Sequence, residues 1–330
     1  MDIVRSWRDV PAELKGAALA IGNFDGVHRG HQEVLREAIR IAKKEGRRSG
    51  AVVFEPHPRE FFAPETPFFR LTPLPLKLEL LAALGLDQTF VIGFDRALAS
   101  LSAQDFATDV VAGGLGASHV VVGHDFSYGK GRTGTTAELA ALGGALGFGV
   151  DVVAPVGTAG TTFSSSRIRD HLRAGEVAAA AEDLGYWWRV RGRVDEGAGR
   201  GHGLGFPTLN LKLAPGQDGR HGIYAMRVDH DGRRYPAAGY VGARPTFGGG
   251  EPVLEAYLLD FAGDLYGAEV EVEFIAFLRP DETFAAPEAL AAKMGEDCAR
   301  ARAILAKIDA DDPMRCFPLA RALAKPVPSI

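Results

Sequence analysis

An alternation in the first half of the chain, which then stops, restricts the fold more than any other feature. Between about Ala17 and Pro155, five short apolar runs read as buried strands: "AALAIG" (17–22), "GAVVFE" (50–55), "QTFVIG" (88–93), "SHVVVG" (118–123) and "GVDVVAP" (149–155). Helix-like stretches such as "HQEVLREAIRIAKKEG" lie between them. Runs without polar alternation are buried on both faces, and a helical crossover after each makes neighbouring strands parallel. The pattern predicts an α/β domain with a parallel, Rossmann-like sheet. Ligands of such sheets bind beyond the carboxyl ends of the strands, which is where "GNFDGVH", "FEPHPREFF" and "GHDFSYGKGRTG" fall.

From Tyr186 to Leu278 the rhythm becomes short alternating segments split by Gly and Pro, among them "TLNLKL", "GIYAMRV", "VLEAYLLDF" and "AEVEVEFIAFL". These predict a small antiparallel β-barrel, followed by a closing helix over about Pro287 to Asp309. The change of rhythm places the domain boundary near 185, giving domains 1–185 and 186–330. Composition narrows the partners. The net charge of -5 over 330 residues exerts no general pull on nucleic acid or anionic lipid. Two cysteines, Cys298 and Cys316, are too few for a disulfide framework. The start "MDIVRSWRDVPAEL" lacks a signal-peptide pattern, and no apolar run reaches the roughly 18 residues of a membrane span. We expect a cytoplasmic protein acting on small molecules, monomeric or weakly self-associating, with no nucleic-acid or membrane partner.

In "GNFDGVHRGH" (22–31) the strand ends at Gly22 and a helix starts near Arg29. His28 and His31 then flank a helix N-terminus, where unpaired N–H groups and the macrodipole favour anions. The pair alone fits a phosphate clamp, a metal site with His57 as the nearest further ligand, or a solvated helix start. "FSSSRIR" (163–169) favours phosphate: hydroxyls cap a helix and donate to phosphate, and Arg167 can neutralise a leaving group.

HxGH followed by this second motif resembles the nucleotidyltransferases that attack an α-phosphate. "IGNFDGVHRGH", "FEPHPREFFAPE", "GHDFSYGKGRTG" and "SSSRIR", in that order, resemble the adenylyltransferase module of bacterial bifunctional riboflavin kinase/FAD synthetases. "GLGFPTLN", "VGARPTF" and Glu255 in "LEAYLLDF" resemble their kinase module. The resemblance covers about 17 to 309. It implies two reactions: riboflavin plus ATP to FMN, then FMN plus ATP to FAD and pyrophosphate, with Mg²⁺ on the phosphates. It also implies that Gly22, Asn23, Phe24, Asp25, His28 and His31 surround one ATP, with Ser165, Ser166 and Arg167 on its phosphates. His28, His31 and Arg167 would be catalytic there. Phe54, Pro56, Pro58, Asp125, Phe126 and Tyr128 would frame the flavin.

In "GRVDEGAGRGHGLGFPTLNL" the glycines let backbone approach phosphate, and Thr208 and Asn210 share a strand face. By resemblance Gly201, Gly203, Gly205, Thr208 and Asn210 hold the second ATP, Thr208 ligates Mg²⁺, and Glu255 takes the proton of the riboflavin 5′-hydroxyl. Three residues depart from the family pattern: His202 for Arg, Leu209 for Ala, and Tyr240 for an often-found Asn. They leave an alternative open, an FAD synthetase whose kinase half is attenuated into a flavin-binding or regulatory module. HxGH alone would also suit a tRNA-handling protein, which the acidic balance opposes.

Overall fold

The computed structural model describes residues 1–158, 160–195, 208–243 and 252–324. Six strands, β1 (Asp2–Val4), β2 (Ala18–Ile21), β3 (Ser49–Glu55), β4 (Gln88–Gly93), β5 (His119–Gly123) and β6 (Gly149–Val153), form one sheet in the order β1-β4-β3-β2-β5-β6. Every pairing is parallel. All four residues of β2 are buried, as its uninterrupted apolar run requires of a central strand. Leu19, Ile21, Val52, Phe54, Phe90, Ile92, Val120 and Val122 form one core with Phe106, Val110 and Leu115. Helix α1 (Arg29–Glu45) buries Val34, Leu35, Ala38 and Ile41; each fully buried large side chain contributes roughly 1.5–3 kcal/mol. Gly46, left-handed at φ 65°, ends this helix. Two expectations need correcting. The apolar run of β6 lies at the sheet's edge and is not buried, with Val152 45% exposed. The sheet also has an edge strand, β1, too short for periodicity to reveal.

After a short ribbon, β7 (Gly157–Thr158) with β8 (Thr161–Thr162), come two helices, Ser165–Ala174 and Val177–Leu184. The second sheet is antiparallel. Its strands are β9 (Arg189–Arg193), β10 (Thr208–Lys212), β11 (Gly222–His230), β12 (Arg233–Ala243), β13 (Pro252–Leu258) and β14 (Glu269–Arg279), in the order β10-β13-β12-β11-β14-β9. It curls into a barrel that a bridge between Asp195 and Asn210 closes, the Asp195 amide donating to the Asn210 carbonyl at 2.9 Å. Pro236 is tolerated inside β12 because it lies beyond the β13 ladder. Its carbonyl accepts from Leu259, past the end of that strand, so its nitrogen faces no ladder acceptor. The helix Pro287–Ala310 packs Ala301 and Leu305 with Ala225 and Ala238.

Charge reinforces the barrel. Arg189, 8% exposed, bridges Glu271 at 2.6 Å and Glu273 at 2.8 Å. Arg227, 3% exposed, reaches Asp309 at 2.7 Å and Asp312 at 3.0 Å. By packing, the chain divides into two compact units: residues 1–66 with 72–164, and 67–71 with 165–330.

Candidate active sites

The order of the parallel sheet locates the first site. From β2 the chain steps outward through β3 and β4, whereas β5 and β6 extend the sheet in the opposite direction. The switch point is therefore between β2 and β5, where a crevice opens beyond the carboxyl ends. The loops that follow these strands are Gly22–His28 and the segment from His124 to Tyr128.

His28 caps α1: its Nδ1 accepts from the His31 amide at 3.3 Å, which leaves the ring hydrogen on Nε2. The two imidazoles stack 3.6 Å apart, and Phe24 meets His31 edge-on at 5.3 Å. The glycine between the histidines has a steric reason. A Cβ on Gly30 would come within 3.1 Å of the His28 ring. Burial, and then the nearness of the His28 ring and of Lys77, hold the His31 pKa well below its ordinary value. His31 is thus a neutral imidazole, with a buried Nδ1 that has no hydrogen-bond partner among the described residues.

The loop itself is strained. Phe24, Gly26 and Val27 all have positive φ, at 46°, 85° and 41°; for a β-branched residue such as Val27 this is an outlier. The Phe24 and Asp25 side chains are each 2% exposed and turn inward. Asp25 accepts from the Thr72 amide at 3.0 Å, and Lys77 donates to the Asn23 carbonyl at 2.7 Å. Thr72 and Lys77 were not evident from sequence, because a lone Thr and a Lys within a leucine-rich helix carry no motif.

Of the flavin candidates, Phe54 and Tyr128 are buried, and Phe126 stacks on Tyr128 at 5.6 Å. Gly134 makes room for that tyrosine, since a Cβ there would lie 2.7 Å from its ring. Asp125 is exposed, Pro56 follows a cis bond, and Pro58 opens α2 (Pro58–Phe62). His57 caps α2 through its ring, accepting from the Arg59 amide at 3.1 Å. An aromatic group that sequence reasoning missed stands beside these residues. Phe61, Phe62 and Phe94 meet edge to face at 5.2–5.7 Å, with Phe62 67% exposed.

Ser165, Ser166 and Arg167 begin the helix Ser165–Ala174, which belongs to the second compact unit. Arg167 Nε pairs with the buried Asp183 at 2.9 Å and donates to His171 at 3.2 Å. Arg169 on the same helix is buried, and it donates to the Phe69 carbonyl.

In the barrel, strand register assembles what sequence scatters. Asn210 on β10 lies directly opposite Glu255 on β13, which in turn lies opposite Tyr240 on β12. Thr208, Tyr257 and Ala238 form the adjacent row. This face is opposite the one carrying the buried Leu209, Leu254 and Ala256. Leu209 accordingly points away from Thr208 and Asn210. Gly201, Gly203, Gly205 and His202 lie outside the described residues.

Comparison with known proteins extends this geometry. Residues 10–167 match the family model for FAD synthetase, and residues 184–305 match that for riboflavin kinase. A bifunctional riboflavin kinase/FMN adenylyltransferase from Pseudomonas fluorescens is 39% identical over 307 residues, covering 93% of this chain and 98% of that protein. Its counterpart from Escherichia coli K12 is 36% identical over 304 residues, covering 92% and 97%. A crystal structure from Streptococcus pneumoniae, described as a macrolide-efflux protein, superposes with a TM-score of 0.78 at 27% identity, covering 91% and 98%. That description concerns the other protein; here, among the described residues, no helix is long and apolar enough to cross a membrane.

Proposed function

The chain belongs to the bifunctional riboflavin kinase/FMN adenylyltransferase family, and we infer that it phosphorylates riboflavin to FMN and then adenylylates FMN to FAD, using one ATP at each step. The observation that carries this reading is that each matched half holds a separate built site. One is the histidine-capped helix at the switch point. The other is the Asn210–Glu255–Tyr240 row. We assign adenylyl transfer to residues 1–185 and the kinase to 186–330. The attenuated-kinase alternative is not favoured, since the relatives named as bifunctional align over 97–98% of their length.

In adenylyl transfer an FMN phosphate oxygen attacks the α-phosphorus of ATP. The bond from that phosphorus to the bridging oxygen breaks, and pyrophosphate leaves. No protein nucleophile is needed, so the residues act by position and charge. His28 Nε2–H, His31 and the N-terminus of α1 would hold phosphate oxygens. Neutral His31 binds through hydrogen bonding, without a full charge. Gly22, Asn23, Phe24 and Asp25 would shape the nucleotide loop, with Ser165, Ser166 and Arg167 on the phosphates. Phe54, Pro56, Pro58, Asp125, Phe126 and Tyr128 would frame the flavin, and the exposed Phe62 suits stacking on its ring.

In the kinase step Glu255 would accept the proton of the riboflavin 5′-hydroxyl as that oxygen attacks the γ-phosphorus, and ADP leaves. Gly201, Gly203, Gly205, Thr208 and Asn210 would hold ATP. The Thr208 hydroxyl and Asn210 amide are hard oxygen donors, which fits Mg²⁺ shared with phosphate oxygens. Bound there, Mg²⁺ would neutralise charge on the phosphates. We also propose a cytoplasmic setting, which the free Cys298 and Cys316 support, and a monomer or weakly associating state. Chromatography of products from riboflavin, ATP and Mg²⁺ over time tests the function: FMN should appear first and FAD second. Folded protein that forms neither, even from added FMN, would overturn it.

A further inference from the structure

Helix α3 (Leu74–Ala83) buries a lysine. Lys77 is fully buried in a stretch where Leu76, Leu78, Leu80 and Leu81 are buried as well. An ammonium is costly to remove from water and persists in an interior only where it is paired. The Lys77 Nζ donates to the Asn23 carbonyl at 2.7 Å, on the loop that leads into the histidine cap. Thr72, also fully buried, grips the next two residues of that loop. Its amide and hydroxyl donate to Asp25 Oδ1 at 3.0 and 3.3 Å, and its hydroxyl oxygen accepts from the Gly26 amide at 2.9 Å. Both residues therefore hold a segment whose backbone is left-handed at Phe24, Gly26 and Val27. Such a turn persists only where its surroundings over-determine it. Beyond the turn, Phe24 packs edge-on against His31, and His31 stacks on His28.

We propose that Thr72 and Lys77 are positioning residues of the nucleotide site, clamping Asn23 to Gly26 so that Phe24 fixes the His31 ring, with the Lys77 ammonium group behind the loop. The inference rests on reading the first half as the adenylyltransferase. The ionisation of His31 supports it. Burial is the largest cause of its lowered pKa, followed by His28 at the α1 cap and Lys77 on α3; Phe24, which packs edge-on against the ring, is uncharged.

The test compares full-length Lys77→Met, Lys77→Arg and Thr72→Val with the wild-type protein. FMN-to-FAD kinetics, riboflavin-to-FMN kinetics and the NMR titration of the His31 ring are measured for each. Lys77→Met should lower kcat/KM for adenylyl transfer by about 100-fold, the scale of a misplaced reacting group, and should leave riboflavin phosphorylation within about twofold. Its His31 midpoint should rise, because a positive neighbour that opposed protonation is gone. Lys77→Arg should keep that midpoint low, and Thr72→Val should lose adenylyl transfer without moving it. Wild-type adenylyl transfer in Lys77→Met would overturn the proposal, and an unmoved His31 midpoint would overturn the part assigned to charge. If Lys77→Met fails to fold, Lys77→Arg and Thr72→Val decide between clamp and charge. If the wild-type protein makes no FAD from added FMN, the functional reading fails; the His31 titration still tests the part assigned to the Lys77 charge.

Discussion

The two sites are built in opposite ways. The first condenses into a loop and a helix cap within ten residues, with its polar groups buried and its strain held by Thr72 and Lys77. The second spreads over three strands of a barrel, and its members meet only through register, at Asn210, Glu255 and Tyr240. A compact site depends on local backbone and on a few buried partners. A spread site depends on the whole sheet staying in register, because a slip of one residue turns every side chain to the other face. Damage should therefore be local and selective in the first, and global in the second.

The largest effects should come from a reciprocal pair of lesions. His28→Ala or His31→Ala should lower conversion of FMN to FAD by about 10²–10³-fold, the usual consequence of losing one transition-state donor, while riboflavin phosphorylation persists. Glu255→Ala should cut riboflavin phosphorylation by about 10²–10⁴-fold, the range for a general base, while added FMN still becomes FAD. Product chromatography with each substrate separates the outcomes. Loss of both activities in any one folded variant would break the comparison.

Next in size is the barrel's buried charge. Arg189→Met leaves Glu271 and Glu273 without their principal cation, and breaking a buried pair from one side costs about 3–5 kcal/mol. Denaturant melts of the full chain should show the kinase lost first. Acid should act in the same way. Burial alone would raise the pKa of Glu271, but Arg189 and Arg191 outweigh it and hold the group below the ordinary 4.5. Burial likewise opposes, and hydrogen bonds from Arg227, the Met314 amide and Trp187 outweigh it in, the lowering of Asp312 below 3.8. Groups with depressed folded pKa values stabilise above their unfolded pKa, and that stability is lost as pH falls through the folded value. The barrel should therefore loosen below about pH 4.5, with Arg189→Met flattening the dependence.

The contrast between the sites also explains what could be read from sequence. His28 and His31 stand three residues apart at a strand-to-helix joint, so elementary helix physics marks them, and the apolar runs marked β2 to β5 in the same way. β6 was misjudged as buried because an apolar run does not say whether a strand is central or at an edge. The Asn210–Glu255–Tyr240 row leaves no periodic trace, since its members come from three separate strands and only the pairing aligns them. Thr72 and Lys77 were invisible for a similar reason, as they reach the loop from 46 and 54 residues further along the chain. The ion pair of Arg167 with Asp183 is likewise a product of helix packing.

A smaller effect should follow from Gly30→Ala. The added Cβ would sit 3.1 Å from His28 Cε1 and 3.2 Å from its Nδ1. The ring must tilt from its cap, and overpacking of this kind costs roughly 1–3 kcal/mol. Adenylyl transfer should fall about tenfold, with unchanged riboflavin phosphorylation as the control. Unaltered FAD synthesis would mean that the cap geometry is looser than the close stacking of His28 and His31 implies.

The smallest expected change concerns Tyr240, at the end of the Asn210–Glu255–Tyr240 row. Its ring leans along its own strand, so that a Cβ on Gly242 would lie 1.9 Å from the hydroxyl oxygen. The hydroxyl thus points along β12, although the strand pairing places Tyr240 beside Glu255. Burial, with the charges of Asp281 and Glu255, pushes its pKa up and keeps it protonated. Tyr240→Phe should leave riboflavin phosphorylation within about twofold, because only the outlying hydroxyl is removed. Tyr240→Asn also removes the ring's apolar surface, worth about 1 kcal/mol against a flavin, or roughly a fivefold rise in KM for riboflavin. Neither should alter FAD formation from added FMN. A faster kinase in Tyr240→Asn would show instead that the ring obstructs the flavin, and that this barrel works against a residue its register places beside Glu255.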